Sequence, residues 1–190
     1  MLDTKPIKAD FPIFKHYPNL IYLDNASTTH KPNSVINSIS QYYQTANANI
    51  HRGVHKLSDL STLAWQESRK TIASFLGAKP EELIVTRNTT ESINGVAYAW
   101  AEQQIKAGDV ILTSLMEHHA NIVPWQELCK RTGAQLKFIP VLPTGELDME
   151  WLAAHLDKTV KLVAVTWVSN VLGTINAVAR IVELTHAAGA

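Results

Sequence analysis

Residues 110–125, Val110-Ile111-Leu112-Thr113-Ser114-Leu115-Met116-Glu117-His118-His119-Ala120-Asn121-Ile122-Val123-Pro124-Trp125, decide the fold class. The run Val110-Ile111-Leu112-Thr113-Ser114 is short, apolar and rich in β-branched side chains, the pattern of a buried strand. Pro124 suits a first helical turn, where its missing N–H leaves no intrahelical bond unmade, and Trp125 and Leu128 follow on one helical face. A strand that gives way directly to a helix is a β-α unit, and open α/β sheets bind their ligands at the strands' carboxyl ends. The adjacent imidazoles of His118 and His119 stand at that junction.

Neighbouring side chains on an extended segment point to opposite faces, so these two rings do not converge readily on one ion. The zinc helix motif, with histidines four residues apart, is missing here. Cys129, the single cysteine, has no partner for a thiolate site or an internal disulfide. No metal is expected. Two readings remain at this point: polar residues on a helix approach, or one imidazole lying against a bound planar group.

Outward from this junction the chain alternates. Upstream, Ile21-Tyr22-Leu23 reads as a short strand ending at Asp24-Asn25-Ala26-Ser27-Thr28-Thr29. Pro32 opens a helix through Val35, Ile36, Ile39, Tyr42 and Tyr43. Ser58 is placed to cap a second helix that carries Leu60, Leu63, Ile72 and Phe75 and stops at Gly77. Leu83-Ile84-Val85-Thr86 predicts a strand and residues 90–107 a helix. Downstream, Leu136-Lys137-Phe138-Ile139 and residues 161–166 predict strands, Asp148 caps a short helix, and residues 178–188 predict a last one. Continuous apolar strands separated by helices imply an α/β fold with a mostly parallel sheet covered on both faces.

Composition narrows the function classes. With 46% hydrophobic and 18% charged residues over 190 positions, the chain has the material for a core. Lys+Arg and Asp+Glu both number 17, so no net field draws the chain to nucleic acid or to an anionic membrane. No apolar run reaches bilayer length, the first residues lack a signal-peptide core, and one cysteine suits a reducing compartment, so a cytoplasmic protein is expected.

Three further stretches bear chemistry. Arg87-Asn88-Thr89-Thr90-Glu91-Ser92-Ile93-Asn94 lies between a strand and a helix, where backbone N–H groups and hydroxyls converge as in a phosphate seat. Asn88 with Glu91 reads equally well as a ligand-free capping box. In Thr166-Trp167-Val168-Ser169-Asn170-Val171-Leu172-Gly173-Thr174, Asn170 offers either an amide to a ring oxygen or an Asx turn. Asn47-Ala48-Asn49-Ile50-His51-Arg52-Gly53-Val54-His55 is by spacing a solvated loop. Trp65, Trp100, Trp125 and Trp151 fall on helical stripes as core residues, and Cys129 reads as a small packed hydrophobe.

Taken together, Tyr22-Leu23-Asp24-Asn25-Ala26, the loop His51-Arg52-Gly53-Val54-His55, residues 87–94, residues 116–125 and Val168-Ser169-Asn170-Val171-Leu172-Gly173-Thr174 resemble the SufS/CsdA-type cysteine desulfurases. These are pyridoxal-phosphate enzymes of the class V aminotransferase group, fold type I. The resemblance runs in order from about residue 11 to residue 190. It implies the aspartate-aminotransferase-like fold, with residues 1–20 an N-terminal extension and 21–190 the N-terminal part of the cofactor-binding large domain. It also implies a homodimer, L-cysteine or L-selenocysteine as substrate, a sulfur-acceptor protein as partner, and a role in iron-sulfur cluster assembly.

By the same resemblance Thr90, with the amide of Thr89, matches the phosphate-binding position. His118 matches the imidazole that stacks on the pyridine ring and assists proton transfer, the expected catalytic residue. Asn170 matches the amide beside the ring's phenolic oxygen, and Ala26, His51, Arg52 and Glu91 match substrate-side or dimer-side positions. Ser27 stands where the family usually has alanine, Ala177 where proline is common, and Asn88 where glycine is usual, a change that asparagine's tolerance of left-handed backbone would soften.

The family's Asp-x-Ala-Gln segment, its Ser-Gly-His-Lys motif with the Schiff-base lysine, and its later cysteine loop have no counterpart in these residues. An N-terminal fragment not competent alone is therefore expected. The alternatives are a selenocysteine lyase or another class V pyridoxal-phosphate enzyme, and a noncatalytic truncated module.

Overall fold

The structure, a computed structural model, describes residues 3–190. They fall into two compact units that divide between Ile84 and Val85.

The first unit is helical. Short helices α1 (Thr4–Ala9) and α2 (Ile13–His16) precede α3 (Asn33–Thr45) and α4 (Lys56–Phe75). Pro32 sits in extended backbone just before α3, as its fixed φ predicts. The start of α4 differs from expectation. His55 is the cap, its Nδ1 accepting the Ser58 N–H at 3.3 Å. Ser58 lies inside the first turn and laces the preceding loop, accepting the Gly53 N–H and donating to the Asn49 carbonyl. Gly77, at φ 68, follows the end of α4 as expected.

The expected strand at Ile21-Tyr22-Leu23 is not formed. The segment is extended but pairs with no strand among the described residues, and Ile21 and Leu23 are exposed. Leu83-Ile84-Val85-Thr86, at the boundary of the units, is likewise extended and unpaired among the described residues. Apolar β-branched composition favours extended backbone, but a strand needs a neighbour to take up its hydrogen bonds.

The second unit carries the sheet. Helix α5 (Thr89–Val96) runs into a π turn (Ala97–Ala101) and a last short turn α6 (Glu102–Gln104). The predicted helix over 90–107 is thus present but ends earlier and widens in its middle. Strand β1 (Val110–Ser114), helix α7 (Val123–Thr132), strand β2 (Gln135–Ile139), helix α8 (Met149–His155), strand β3 (Val160–Val163) and helix α9 (Val178–Ala188) complete the alternation.

The sheet order is β2-β1-β3 and every pairing is parallel, with Val110 opposite Gln135 and Ile111 opposite Leu162. The third strand is shorter than predicted, although the Ala164 N–H still donates to the Leu112 carbonyl at 2.8 Å. Alternation along β1 makes two cores. Val110 and Leu112 pack on one face with Ile139, Leu152, Val160 and Ile181. Ile111 packs on the other with Ala97, Ala101, Ile105, Trp125 and Leu128.

Of the tryptophans expected in the core, Trp125 is buried, Trp65 and Trp151 are half-buried, and Trp100 is exposed. No described helix is long and apolar enough to cross a membrane.

Candidate active site

Because β1 and β3 are parallel neighbours, the loops that leave their carboxyl ends emerge on the same side of the sheet. Residues 115–122 follow β1, and residues 164–176 follow β3. The first loop closes in a 3-10 turn (His119–Asn121) against which α5 packs. Three of the sequence-predicted elements are therefore gathered at one end of the second unit.

At the start of α5, Asn88 is the cap, its side-chain oxygen accepting the Glu91 N–H at 2.9 Å. Glu91 returns its carboxylate to Arg87, accepting from the backbone N–H at 2.7 Å and from the guanidinium at 3.3 Å. The hydrogen bond from the Arg87 N–H, with the Arg87 side chain beside it, holds the Glu91 carboxyl below the usual carboxylate range. Asn88 has a φ of -169, ordinary extended backbone, so a glycine there has no special conformational merit.

The cap and its acidic partner leave the N–H groups of Thr89 and Thr90 and both hydroxyls without a protein acceptor among the described residues. Unsatisfied N–H groups at a helix start favour an anion.

His118 caps the 3-10 turn with its own ring, Nδ1 accepting the Ala120 N–H at 3.1 Å. That bond fixes the ring's orientation and places the proton of the neutral imidazole on Nε2. The His118 ring is exposed, and His119 meets it edge-on at 6.1 Å between centroids. Among the described residues no group of His, Cys, Asp or Glu is arranged to hold a metal ion.

Asn170 lies at the tip of the second loop, which is tied by an antiparallel bridge between Val168 and Ile175. The turn is held by buried Ser169, whose Oγ accepts the N–H groups of Val171 and Leu172 at 3.3 and 3.1 Å. Of the two roles open to Asn170, the turn-forming one is thus taken by its neighbour, and its amide is exposed.

Sequence reasoning passed over the group that joins these loops. Glu117, only 8% exposed, accepts from Ser114 Oγ at 2.7 Å, from the Thr166 N–H at 2.8 Å and from Asn121 Nδ2 at 2.8 Å. The available signal was its place: a carboxylate directly behind an apolar strand and a methionine is too costly to bury without donors.

The remaining predicted residues lie in the first unit. Ala26 is exposed in the turn Asn25-Ala26-Ser27, which is stapled by the Tyr22 hydroxyl donating to the Thr28 carbonyl at 2.7 Å. His51 takes a left-handed φ of 66 and donates its N–H to Thr62 Oγ1 at 3.0 Å, while Arg52 is exposed beside it. A non-glycine residue held in left-handed backbone is uncommon outside tight or functional loops.

Residues 21–190 match the aminotransferase class-V family. The chain belongs to that family. Among class V relatives, a cysteine desulfurase of Enterobacter sp. (strain 638) is 48% identical over 191 residues, covering 98% of this chain and 47% of the relative. The apo structure of a cysteine desulfurase from Thermococcus onnurineus NA1 superimposes with a TM-score of 0.92 at 39% identity, over 100% of this chain and 46% of that one. The cysteine desulfurase CsdA from Escherichia coli gives a TM-score of 0.86 at 32% identity, over 100% of this chain and 47% of that one. The chain spans about half the length of the curated relatives it matches. This class V chain has the α/β architecture expected of part of an aminotransferase-like fold.

Proposed function

We propose that the full-length protein is a pyridoxal-phosphate-dependent cysteine desulfurase, converting L-cysteine to L-alanine and carrying the sulfur as an enzyme persulfide for transfer to an acceptor protein. The observation that carries this reading is the gathering, at one end of the sheet, of groups that the fold leaves free: the Thr89 and Thr90 amides and hydroxyls, the His118 ring edge at Nε2, and the Asn170 amide.

Those groups fit the cofactor. A phosphate suits the open start of α5. A planar ring suits an imidazole that is exposed yet fixed at Nδ1. A ring oxygen suits an amide with no structural duty.

Pyridoxal phosphate, when bound, supplies an electron sink for bond breaking on the substrate amino acid. Thr89 and Thr90 would hold its phosphate. His118, whose Nδ1 is occupied by the Ala120 N–H, would face the ring with a proton held at Nε2, and Asn170 would offer its amide to the ring's oxygen. Ala26, His51, Arg52 and Glu91 border the substrate or the second subunit of a cytoplasmic homodimer. Residues 21–190 are the N-terminal part of the cofactor-binding large domain, after an extension over 1–20.

Desulfuration breaks the carbon-sulfur bond of the substrate and forms a sulfur-sulfur bond to a protein thiolate, so no outside oxidant is required. Cys129 is a poor source of that thiolate. It is half-buried on α7, and burial raises its thiol above the usual range. The nucleophile is assigned to the rest of the full-length protein.

The test is alanine formation from L-cysteine by the full-length protein, with persulfide trapped by a thiol-alkylating reagent. His118→Ala is expected to lower turnover about 100-fold. Thr90→Val is expected to weaken cofactor binding about tenfold, the loss of one charge-assisted hydrogen bond. Absence of alanine from the unaltered protein overturns the reading. For the 190-residue chain alone, pyridoxal phosphate followed by borohydride is expected to label no lysine, and a pyridoxyl group mapped to one lysine would show the anchor to lie within it.

A further inference from the structure

We infer that Glu117 is the positioning residue for His118, and that it does so through a one-way chain of hydrogen bonds anchored on Trp125. The inference deepens the cofactor reading above, on which His118's role rests.

Indole Nε1–H can only donate. Trp125, buried in the core, donates it to Asn121 Oδ1 at 3.0 Å, which fixes the Asn121 amide with its NH2 toward Glu117. Asn121 Nδ2 then donates to Glu117 Oε2 at 2.8 Å. The other oxygen, Oε1, accepts from Ser114 Oγ at the end of β1 and from the Thr166 N–H after β3. Every partner of the carboxylate is a donor, and among the described residues no cation pairs with it. A buried carboxylate without a counter-ion is tolerated only when its oxygens are filled in this way.

The consequence for His118 lies in the turn that Asn121 closes. The Asn121 N–H donates to the His118 carbonyl at 2.8 Å, and the Ala120 N–H inside the turn donates to His118 Nδ1. Asn121 is pinned on its side chain by Trp125 and Glu117, and its carbonyl accepts from Thr113 Oγ1 at 3.3 Å. Because Glu117 also grips Thr166, the same carboxylate joins the His118 turn to the loop that carries Asn170.

The directionality makes the inference testable by polarity alone, with no change in size. In Glu117→Gln, Oε1 still accepts from Ser114 and Thr166, but an NH2 now faces the Asn121 NH2, and Trp125 prevents the asparagine from turning over. In Asn121→Asp, two carboxylates face each other at hydrogen-bond distance. The double variant restores the pattern, because the introduced aspartate accepts both from Trp125 and from the introduced glutamine amide.

The experiment uses the full-length protein without cofactor and reads the His118 tautomer from imidazole nitrogen spectra, alongside the midpoint of thermal unfolding. The unaltered protein is expected to hold His118 in the Nε2–H form. Glu117→Gln and Asn121→Asp are each expected to populate the Nδ1–H form as well, and the double variant to return to Nε2–H alone. A merely structural Glu117 would lower the unfolding midpoint and leave the tautomer unmoved, which would overturn the inference. So would a double variant that fails to recover the tautomer, or that fails to fold when a single variant has failed. Cofactor binding, measured separately, is expected to weaken about tenfold in Glu117→Gln and recover in the double variant. If the unaltered full-length protein binds no pyridoxal phosphate, the proposed function falls while the tautomer cycle still decides the role of Glu117.

Discussion

The two units of this chain bury different things. Between Val85 and Ala190 a three-stranded sheet shares three residues of its central strand between two apolar cores, with Ile111 on one face and Val110 and Leu112 on the other, Ile111 and Leu112 fully buried. In the unit before it, α4 buries Ser58, Ser61 and Ala73, while Leu63 is 56% and Phe75 is 89% exposed. A parallel strand acquires its surroundings from its own connections, since each crossover lays a helix on the sheet. A helix with an apolar stripe has no such guarantee and buries only what a further layer covers.

The largest expected effect tests that contrast directly. Leu112→Ala should lower unfolding free energy by about 3–5 kcal/mol, and Leu63→Ala by less than about 0.5 kcal/mol, read from urea titrations followed by circular dichroism. Equal costs at the two leucines would break the comparison.

Next come the helix ends. Gly133 and Gly77 both follow helices at positive φ, 77 and 68, but a Cβ on Gly133 would stand 3.1 Å from that of Ala107, whereas nothing lies within 4 Å of one on Gly77. Gly133→Ala should cost about 2 kcal/mol and Gly77→Ala about 1 kcal/mol, the backbone strain alone. Thermal unfolding of the two variants orders them.

The caps give a smaller difference. Asn88→Ala should cost about 1 kcal/mol, and His55→Ala about half of that, since the ring nitrogen accepts over a longer distance than the asparagine oxygen. Each is measurable by the shift in urea midpoint at constant slope.

The smallest effect depends on pH. The Glu91 carboxyl is held down in the folded chain by Arg87, so its contribution is present above the ordinary glutamate range and is lost as pH falls through the lowered value. Glu91→Gln should therefore flatten the acid limb of stability against pH without altering the limb above neutrality. An unchanged acid limb would show that the exposed contact with Arg87 does not stabilise the fold.

How much could be read in advance followed the same divide. The β1 junction was legible because β-branched run, proline and helix are all local signals, and residues 178–188 formed a helix with the predicted limits. The strands foreseen at Ile21-Tyr22-Leu23 and at Leu83-Ile84-Val85-Thr86 failed because pairing is a property of neighbours, not of the segment. At the candidate site, Thr90, His118 and Asn170 were singled out by motif, but the residues that hold the loops were not: Ser169 rather than Asn170 makes the turn, and His55 rather than Ser58 caps α4. Glu117 escaped notice because its meaning depends on Thr166, which is remote in sequence and adjacent only across the sheet.

The widened turn at Ala97–Ala101 has a bearing on how that unit tolerates insertion and deletion. Ala97, Ala101 and Ile105 are all buried in the core beneath Ile111 and Trp125, a repeat of four. In a regular helix a repeat of four runs ahead of the axis by about 40° at every step, so a straight seam would wander off its groove. A wider turn lets the helix fall back into phase. Removing one residue there would leave composition and propensity almost untouched while rotating Ile105 out of the core, so this segment should accept substitution far more readily than any change in its count.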